Sequence, residues 1–482
     1  MQFRLIIRIL GLLLMVFSLT MLPSAAVSLI YDDGAHNAFV LGFLLVLSAG
    51  FVMWYPVRNR HKELRTRDGF LITVMFWVVL GVAGSVPLSL APSFDLSYTD
   101  AFFESFSGLT TTGSTVITGI DQLPKSIQFY RQQLQWLGGM GIVVLAVAVL
   151  PMLGIGGMQL YRAETPGPMK DSKLTPRIAE TAKALWYIYL TLTIVCGVAY
   201  WFAGMTPFDA ISHSFSTVAI GGFSTHDASI GYFDSAAVEM IAILFMILSS
   251  ANFGLHFAAW RSKTVRHYLN DPEYRFFLTI AVILMVSAAL VLWATKTYEA
   301  SDSVRYGMFV SVSLLTTTGF GTADFSIWPL FLPFLLFMAS FIGGSAGSTA
   351  GGMKAIRVLL ILKQGVREIK RLIHPTGVFS VKLGNRPVNN KVVESVWGFF
   401  SVYIMAYAVI FFGLLATGLD FVTTWSAVGS SLNNLGPGLG EVALNYGSIP
   451  DTAKWILCFA MLLGRLEIFT LLVILTPQYW RR

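Results

Sequence analysis

Apolar residues in this chain come in long unbroken runs. They show neither the strict alternation of half-buried strands nor the narrow stripes of soluble amphipathic helices. A bilayer crossing takes roughly 20 such residues, and ten runs approach or exceed that length. The first covers 3–22 and carries Arg4 and Arg8 at its start; the second covers 37–56 and closes on Trp54 and Tyr55, side chains suited to a membrane interface. Because Pro23-Ser24-Ala25-Ala26 resembles a cleavage region, a removable signal peptide is the alternative to a retained first span; retention is the expectation. Eight further runs fall in pairs: 70–91 with 130–152, 183–204 with 235–260, 276–295 with 327–362, and 395–418 with 452–476.

Between the members of each pair lies a shorter stretch that ends in glycine, and these stretches echo one another. Ten residues ending at Gly113 read ESFSGLTTTG, and those ending at Gly222 read HSFSTVAIGG. Those ending at Gly319 read VSVSLLTTTG, and those ending at Gly436 read AVGSSLNNLG. Each has a serine six positions before the glycine (Ser107, Ser216, Ser313, Ser430), and the first two share an aspartate thirteen before it, Asp100 and Asp209. A fourfold match at comparable intervals is an internal repeat. An isolated Thr-Thr-Gly would mark no more than a loop between helices.

The repeat predicts a short helix entering the membrane and returning as extended chain, with glycine supplying positive φ at the turn. Non-helical backbone at that depth must be buried in protein or line a water-filled path. Four such segments about one axis would offer rings of carbonyl oxygens able to replace a cation's hydration shell. Asp100 and Asp209 read as helix caps accepting backbone N–H bonds.

The predicted fold is therefore all-α and polytopic, with four pseudo-symmetric span–re-entrant loop–span units around a central pore and two extra N-terminal spans. The boundaries are 1–69 for the N-terminal pair, 70–158 for unit 1, 159–272 for a cytoplasmic loop with unit 2, 273–392 for unit 3 and 393–482 for unit 4.

Composition agrees. Mean hydropathy is +0.68, and only 12% of residues are charged, about half the share usual in soluble proteins. Net charge is +7, but its placement points to topology and not to nucleic acid. Lys and Arg gather in 57–69 (Arg58, Arg60, Lys62, Arg65, Arg67), 159–183, 261–275 and 363–391. The intervening loops hold few basic residues and many acids. This bias places both termini and the basic loops in the cytoplasm and the four glycine segments outside. Cys196 and Cys458 lie in different runs, so no disulfide framework is indicated. His213, His226 and His256 have no metal-ligand spacing, no nucleophile motif stands out, and the polar segments are too short for a nucleotide-binding domain. The chemistry of an enzyme is not expected.

Two features within the paired spans call for function. In unit 3, Gly343-Gly344-Ser345-Ala346-Gly347-Ser348-Thr349-Ala350-Gly351-Gly352 interrupts an apolar run, and five glycines in ten residues should break a helix. A phosphate-cradling loop would need a Gly-Lys-Ser/Thr ending, which is absent, so a mobile constriction is the expectation. In unit 4, Arg465 and Glu467 fall within the last span, and an intramembrane arginine should face a water path. Two residues apart on a helix, they should not pair with each other; other helices or backbone carbonyls should partner them. Lys354 and Arg357 read as snorkelling toward the cytoplasm.

With four degenerate glycine segments, Gly138-Gly139-Met140-Gly141, the glycine-rich break and Gly464-Arg465-Leu466-Glu467, the whole chain resembles the Trk/Ktr/HKT superfamily of potassium transporters, closest to its bacterial uptake branch. The resemblance implies a single-file K+ pathway, homodimerisation in a bacterial inner membrane, and a cytosolic TrkA-type partner carrying nucleotide-binding regulatory domains. It implies an ion-binding filter at Thr110, Thr111, Thr112 and Gly113; at Ala219, Ile220, Gly221 and Gly222; at Thr316, Thr317, Thr318 and Gly319; and at Asn433, Asn434, Leu435 and Gly436. It implies a gate of Gly343, Gly344, Gly347, Gly351, Gly352 and Arg465. No organic cofactor is expected. The second and fourth segments lack the threonines, and none carries the full TVGYG of tetrameric potassium channels. Gated, channel-like uptake is the leading reading, and symport with protons or sodium the alternative.

Overall fold

The computed structural model describes residues 1–59, 66–91, 96–144 and 178–481. Almost all of it is helix. The N-terminal run forms α1 (Phe3–Ser18) and α2 (Met21–Tyr31), followed by α3 (His36–Trp54) and α4 (Thr66–Leu90). Then come α5 (Tyr98–Leu109), α6 (Lys125–Val144), α7 (Ile178–Phe202), α8 (Pro207–Ala219), α9 (Ala236–Ser249), α10 (Phe253–Ser262) and α11 (Arg266–Asn270). The chain continues through α12 (Pro272–Ala294), α13 (Ala300–Leu315), α14 (Leu332–Ala339) and α15 (Ala355–Ile373). It ends with α16 (Asn390–Leu415), α17 (Phe421–Asn433), α18 (Asp451–Arg465), α19 (Phe469–Leu475) and α20 (Pro477–Trp480). One small antiparallel hairpin, Lys382–Leu383 against Arg386–Pro387, links α15 to α16.

Helix α12 shows why these runs become spans. Phe277, Ala281, Leu284, Ala288 and Leu292 recur at helical spacing and are buried, while Val282, Ile283, Val286, Leu290 and Trp293 are equally apolar yet exposed. A helix apolar on both faces packs protein on one and lipid on the other. Small residues then set close approach. A Cβ on Gly307 of α13 would lie 2.9 Å from the backbone nitrogen of Ala289 in α12, and Gly11 and Gly50 bring α1 and α3 equally close.

Among the described residues, six helices are long and apolar enough to cross a membrane, and two sharply bent pairs raise the number to eight. This is a multi-pass membrane protein. Two predicted spans depart from the simple pattern. The predicted span 130–152 becomes α6, whose Gln128, Arg131, Gln132 and Gln135 are buried inward; residues 145–152 lie outside the described residues. The predicted span 327–362 is short α14, an irregular stretch, and amphipathic α15.

The two bent pairs correct the expectation of continuous spans at 235–260 and 452–476. Helices α9 and α10 meet at 94°, and α18 and α19 at 116°. At the first bend Asn252 caps the new helix through Gly254 N at 2.7 Å, while the Ser250 carbonyl and Phe253 N–H bond the glycine-rich loop. At the second, Glu467 and Ile468 both take positive φ, +52° and +59°, an uncommon conformation for non-glycine residues. Neither bend carries a proline or a glycine cluster. Of the predicted cytoplasmic basic residues, Arg60, Lys62, Arg65 and those of 159–177 lie outside the described residues.

Candidate functional site

Helices α5, α8, α13 and α17 hold the four repeat windows; α5, α8 and α17 start on a side-chain cap, and α13 starts after Glu299 without one. In two of them the cap is a hydroxyl, not the predicted aspartate. Ser97 Oγ accepts from Asp100 N at 3.1 Å and donates to Asp100 Oδ2 at 2.8 Å; Thr206 does the same with Asp209 at 3.1 and 2.7 Å. Asp100 and Asp209 therefore complete a reciprocal box three residues into the helix. Asp420 caps α17 directly, through Val422 N and Thr423 N.

The shared serine marks where each of these helices stops. Its carbonyl accepts the N–H five residues on: Thr112 to Ser107, Gly221 to Ser216, Thr318 to Ser313 and Leu435 to Ser430, all at 2.8–2.9 Å. The turn is made by a positive φ one residue earlier, at Thr111, Ile220, Thr317 and Asn434, between +52° and +65°. The four glycines follow at +81° to +103°. This conserved geometry in four copies is a helix C-terminal αL turn, and it leads the chain away as extended backbone.

The four turns close on one another. A Cβ built on Gly113 would meet the carbonyl oxygen of Gly221, one on Gly222 that of Thr318, one on Gly319 that of Leu435, and one on Gly436 that of Thr112, every approach under 3.0 Å. Each glycine touches the residue before the next glycine, and the fourth returns to the first. All sixteen predicted filter residues thus lie in one closed ring, buried apart from the partly open Gly113, Gly222 and Gly319. Four helix C-termini converge there, so their dipoles make the centre electronegative.

Polar side chains brace the ring from behind. In the two threonine-bearing segments the hydroxyls pair, Thr110 with Thr112 at 2.8 Å and Thr316 with Thr318 at 2.7 Å. Behind the second segment, Gln135 of α6 donates to Gly221 O at 2.6 Å and accepts from Phe223 N at 3.0 Å. In the fourth, Asn434 donates to Thr112 Oγ1 and to Met461 O, both at 3.0 Å. Asn433 accepts from Tyr403 at 2.7 Å and donates to Ser340 at 3.0 Å. A wholly buried ion pair, Arg131–Glu104 at 2.7 Å, ties α6 to α5. The same guanidinium donates to Thr115 Oγ1 and to Ser224 O, on the outgoing strands of two segments.

The glycine-rich break lies against the ring. Its glycines permit contact more than freedom: Gly343 packs on Gly351 and Gly352, and a Cβ on Gly351 would strike the Asn433 carbonyl. Gly343, Gly347 and Gly352 also hold φ near +70°, at +67°, +75° and +72°, and Gly344 packs on Ala350 and Ser250. Gly351 N donates to Thr317 Oγ1 at 2.7 Å, Gly352 N to Asn433 O at 3.0 Å, and Thr349 Oγ1 to Val218 O at 3.0 Å. The loop therefore clasps the ends of α8, α13 and α17. Arg465 supplies the remaining side, donating to Thr349 O at 3.2 Å and to Gly138 O of α6 at 3.1 Å.

The neighbouring charges correct one expectation and match another. Lys354 and Arg357 do not snorkel; both are buried, Lys354 on Ala350 O and Arg357 on Glu467 at 2.6 Å. Arg465 and Glu467 find separate partners, as expected, but the cause is the turn that begins where α18 ends at Arg465.

The two sides of the ring differ in space. Beyond the glycines a cavity of about 330 Å³ opens, lined by all four of them with Arg131, His226, Asp227 and Asp324. On the loop side a pinched void of about 30 Å³ remains among Gly351, Arg465, Glu467 and Asn434. The first has room for several waters, the second for about one.

Sequence reasoning did not find Glu104–Arg131, Gln135 or the histidine cluster near the cavity. His213 and His226 are thirteen residues apart and share Asp209, Ser224 and the ring of Phe233. No local pattern encodes such contacts; the buried glutamate inside a repeat window was the available hint.

Together these features define a membrane protein built around a closed ring of re-entrant backbone. A profile of the TrkH family, described as cation transport proteins, matches residues 35–482, and this chain belongs to that family. It is 60% identical over 482 residues to the Trk system potassium uptake protein TrkH of Halomonas elongata and 55% identical to that of Escherichia coli, with 100% of each chain covered. The crystal structure of the potassium transporter TrkH from Vibrio parahaemolyticus matches it with a TM-score of 0.93 at 58% identity, over 100% of both chains.

Proposed function

We propose that this chain takes up potassium, passing K+ through the ring as a gated, channel-like pathway. The observation that carries the reading is the closed circuit of four glycine–carbonyl contacts at convergent helix C-termini, open to a cavity on one face and blocked by a glycine-rich loop on the other. Carbonyl oxygens and an electronegative centre suit a dehydrated monovalent cation. The sixteen residues Thr110 to Gly113, Ala219 to Gly222, Thr316 to Gly319 and Asn433 to Gly436 would form the filter. Gly343 to Gly352 with Arg465 would form the barrier beneath it. The names of the relatives, potassium uptake proteins of a Trk system, agree with this and with a further component of the TrkA type.

On this reading the four windows belong to four pseudo-symmetric units with the boundaries given above, preceded by two extra spans. Positive charge on the loops after α3, α10 and α15 supports cytoplasmic termini in a bacterial inner membrane. A cytosolic nucleotide-binding subunit would act on the barrier from that side, and the chain would assemble as a homodimer. A symporter with protons would need an acid at depth to carry them, and Glu467, in the last paired span, is held by Arg357 instead.

Purified protein in liposomes tests the function directly. Rubidium and potassium should enter down their own gradients with no imposed proton or sodium gradient, and sodium should enter more slowly. Uptake that requires such a second gradient would replace the channel reading with symport, and absence of any cation flux would remove both.

A further inference from the structure

We propose that His226, in its protonated form, is a positioning residue for the mouth of the ring, so that protons on the cavity side set how sharply the ring discriminates among alkali cations. This rests on reading the ring as the cation path.

His226 lies four residues beyond Gly222 and lines the 330 Å³ cavity. Its ring is flat against Tyr232, centroids 3.4 Å apart and planes at 5°, and edge-on to Phe233. Both nitrogens face carboxylates: Nδ1 bonds Asp121 Oδ1, and Nε2 lies 3.5 Å from Asp209 Oδ1. A neutral imidazole has one N–H, so only the imidazolium presents a proton to each carboxylate.

The two carboxylates belong to different segments of the mouth. Asp121 lies in the short 3-10 turn Ile120–Gln122 that follows the first window, six residues past Thr115. Asp209 is on α8, which ends in the second window, and also holds Thr225 at 2.8 Å. The contact is doubled by Asp227, whose N–H donates to Asp121 Oδ2 and whose carboxylate accepts from Gly119 N and Asp121 N. From α8, His213 reaches Ser224 Oγ at 2.9 Å, and the same oxygen accepts from His226 N at 3.1 Å. From α6, the Arg131 guanidinium donates to Ser224 O. Charged or titratable groups around His226 are thus Asp121, Asp209, Asp227, His213, Tyr232 and, one bond further, Arg131. Of these, Asp121 and Asp209 are the ones that face its ring nitrogens.

Burial pulls the His226 imidazolium toward losing its proton, but the hydrogen bonds and charges of Asp209 and Asp121 outweigh that and hold it above the ordinary imidazole value. A group raised on folding contributes its full clamp below its ordinary titration range. The clamp is lost as pH rises through the raised value. Losing it leaves one of the two carboxylates without a proton from the ring and slackens the backbone that leaves Gly113 and Gly222.

The test is the potassium-to-sodium permeability ratio of protein in planar bilayers, with cavity-side pH varied from about 5.5 to about 8.5 around the imidazole range. Wild type should lose about threefold in the ratio as pH rises, the scale of one partly exposed ion pair. H226R should hold the high ratio throughout and H226Q the low one. D121N, a milder change, should move the midpoint down. A flat wild-type profile, a wild-type profile in H226Q or an unmoved midpoint in D121N overturns the proposal. A change in current without a change in ratio also does so, because added cavity charge alone explains it. Absence of cation current at every pH would instead overturn the ring reading beneath it.

Discussion

Replacing Arg465 with alanine should open the pathway without changing what passes. The side chain is 3% exposed and its two bonds, 3.2 Å to Thr349 O and 3.1 Å to Gly138 O, join the glycine-rich loop to α6. Hydrogen bonds from a charged donor contribute roughly 1.5–3 kcal/mol each. Water entering the vacated space restores part of that, so about 2–3 kcal/mol of closed-state preference should vanish. At 1.4 kcal/mol per factor of ten, the closed-to-open ratio should fall by roughly 30- to 140-fold. Arg465→Lys keeps the charge but reaches one carbonyl, so it should fall between the two. Uptake of radioactive rubidium into liposomes reads the change, with potassium-to-sodium ratios measured alongside. Wild-type uptake in a monodisperse Arg465→Ala protein would refute the latch, and a changed ion ratio would place the arginine in the filter instead.

Two other substitutions probe the ring and its brace. Gly319→Ser forces a side chain onto φ +81° and into the Leu435 carbonyl, so the potassium-to-sodium permeability ratio should drop by about tenfold or more, a non-glycine αL residue alone costing about 1–2 kcal/mol; an unchanged reversal potential would dismiss the ring as the discriminating element. Glu104→Gln strands the buried Arg131 charge and should lower stability by about 3–5 kcal/mol, whereas Glu104→Gln with Arg131→Met should recover most of it; equal Tm values for the wild type and the single variant in detergent would refute the brace.

Local features of the sequence announced the ring; its supports are long-range. Glycine and serine positions were readable because one backbone requirement, an αL turn after a short helix, is repeated in four windows and restricts residue type each time. The break at Gly343 to Gly352 was readable for the same reason, though its glycines serve close packing against Asn433 and Gly343 more than mobility. The bends at Asn252 and Glu467 were not, because they interrupt apolar runs without proline or a glycine cluster. What turns the chain there is a tertiary partner: the loop carbonyl of Gly347 for one, and Arg357 for the other. Lys354 and Arg357 misled for a related reason. Basic residues near the end of an apolar run usually reach water, unless a carbonyl and a carboxylate wait inside.

The threonines missing from the second and fourth windows are the clearest case. Read along the chain, AIGG and NNLG are degraded copies of TTTG, and a weaker structure would be expected at each. In space the polar contacts have moved. Where Thr110 pairs with Thr112 inside its own window, Gly221 takes its bond from Gln135, a residue 86 positions away. Where Thr316 pairs with Thr318, Asn434 reaches both Thr112 of the first window and Met461 of the last paired helix. A hydroxyl pair stiffens one segment; an amide that spans two elements stiffens a segment and locks it to its neighbour. The alternation of the two around the ring, self-braced then cross-braced, means that loss of sequence symmetry did not loosen the backbone. It replaced local hydroxyl pairs with longer reaches: in the second window to α6, and in the fourth to both the first window and α18.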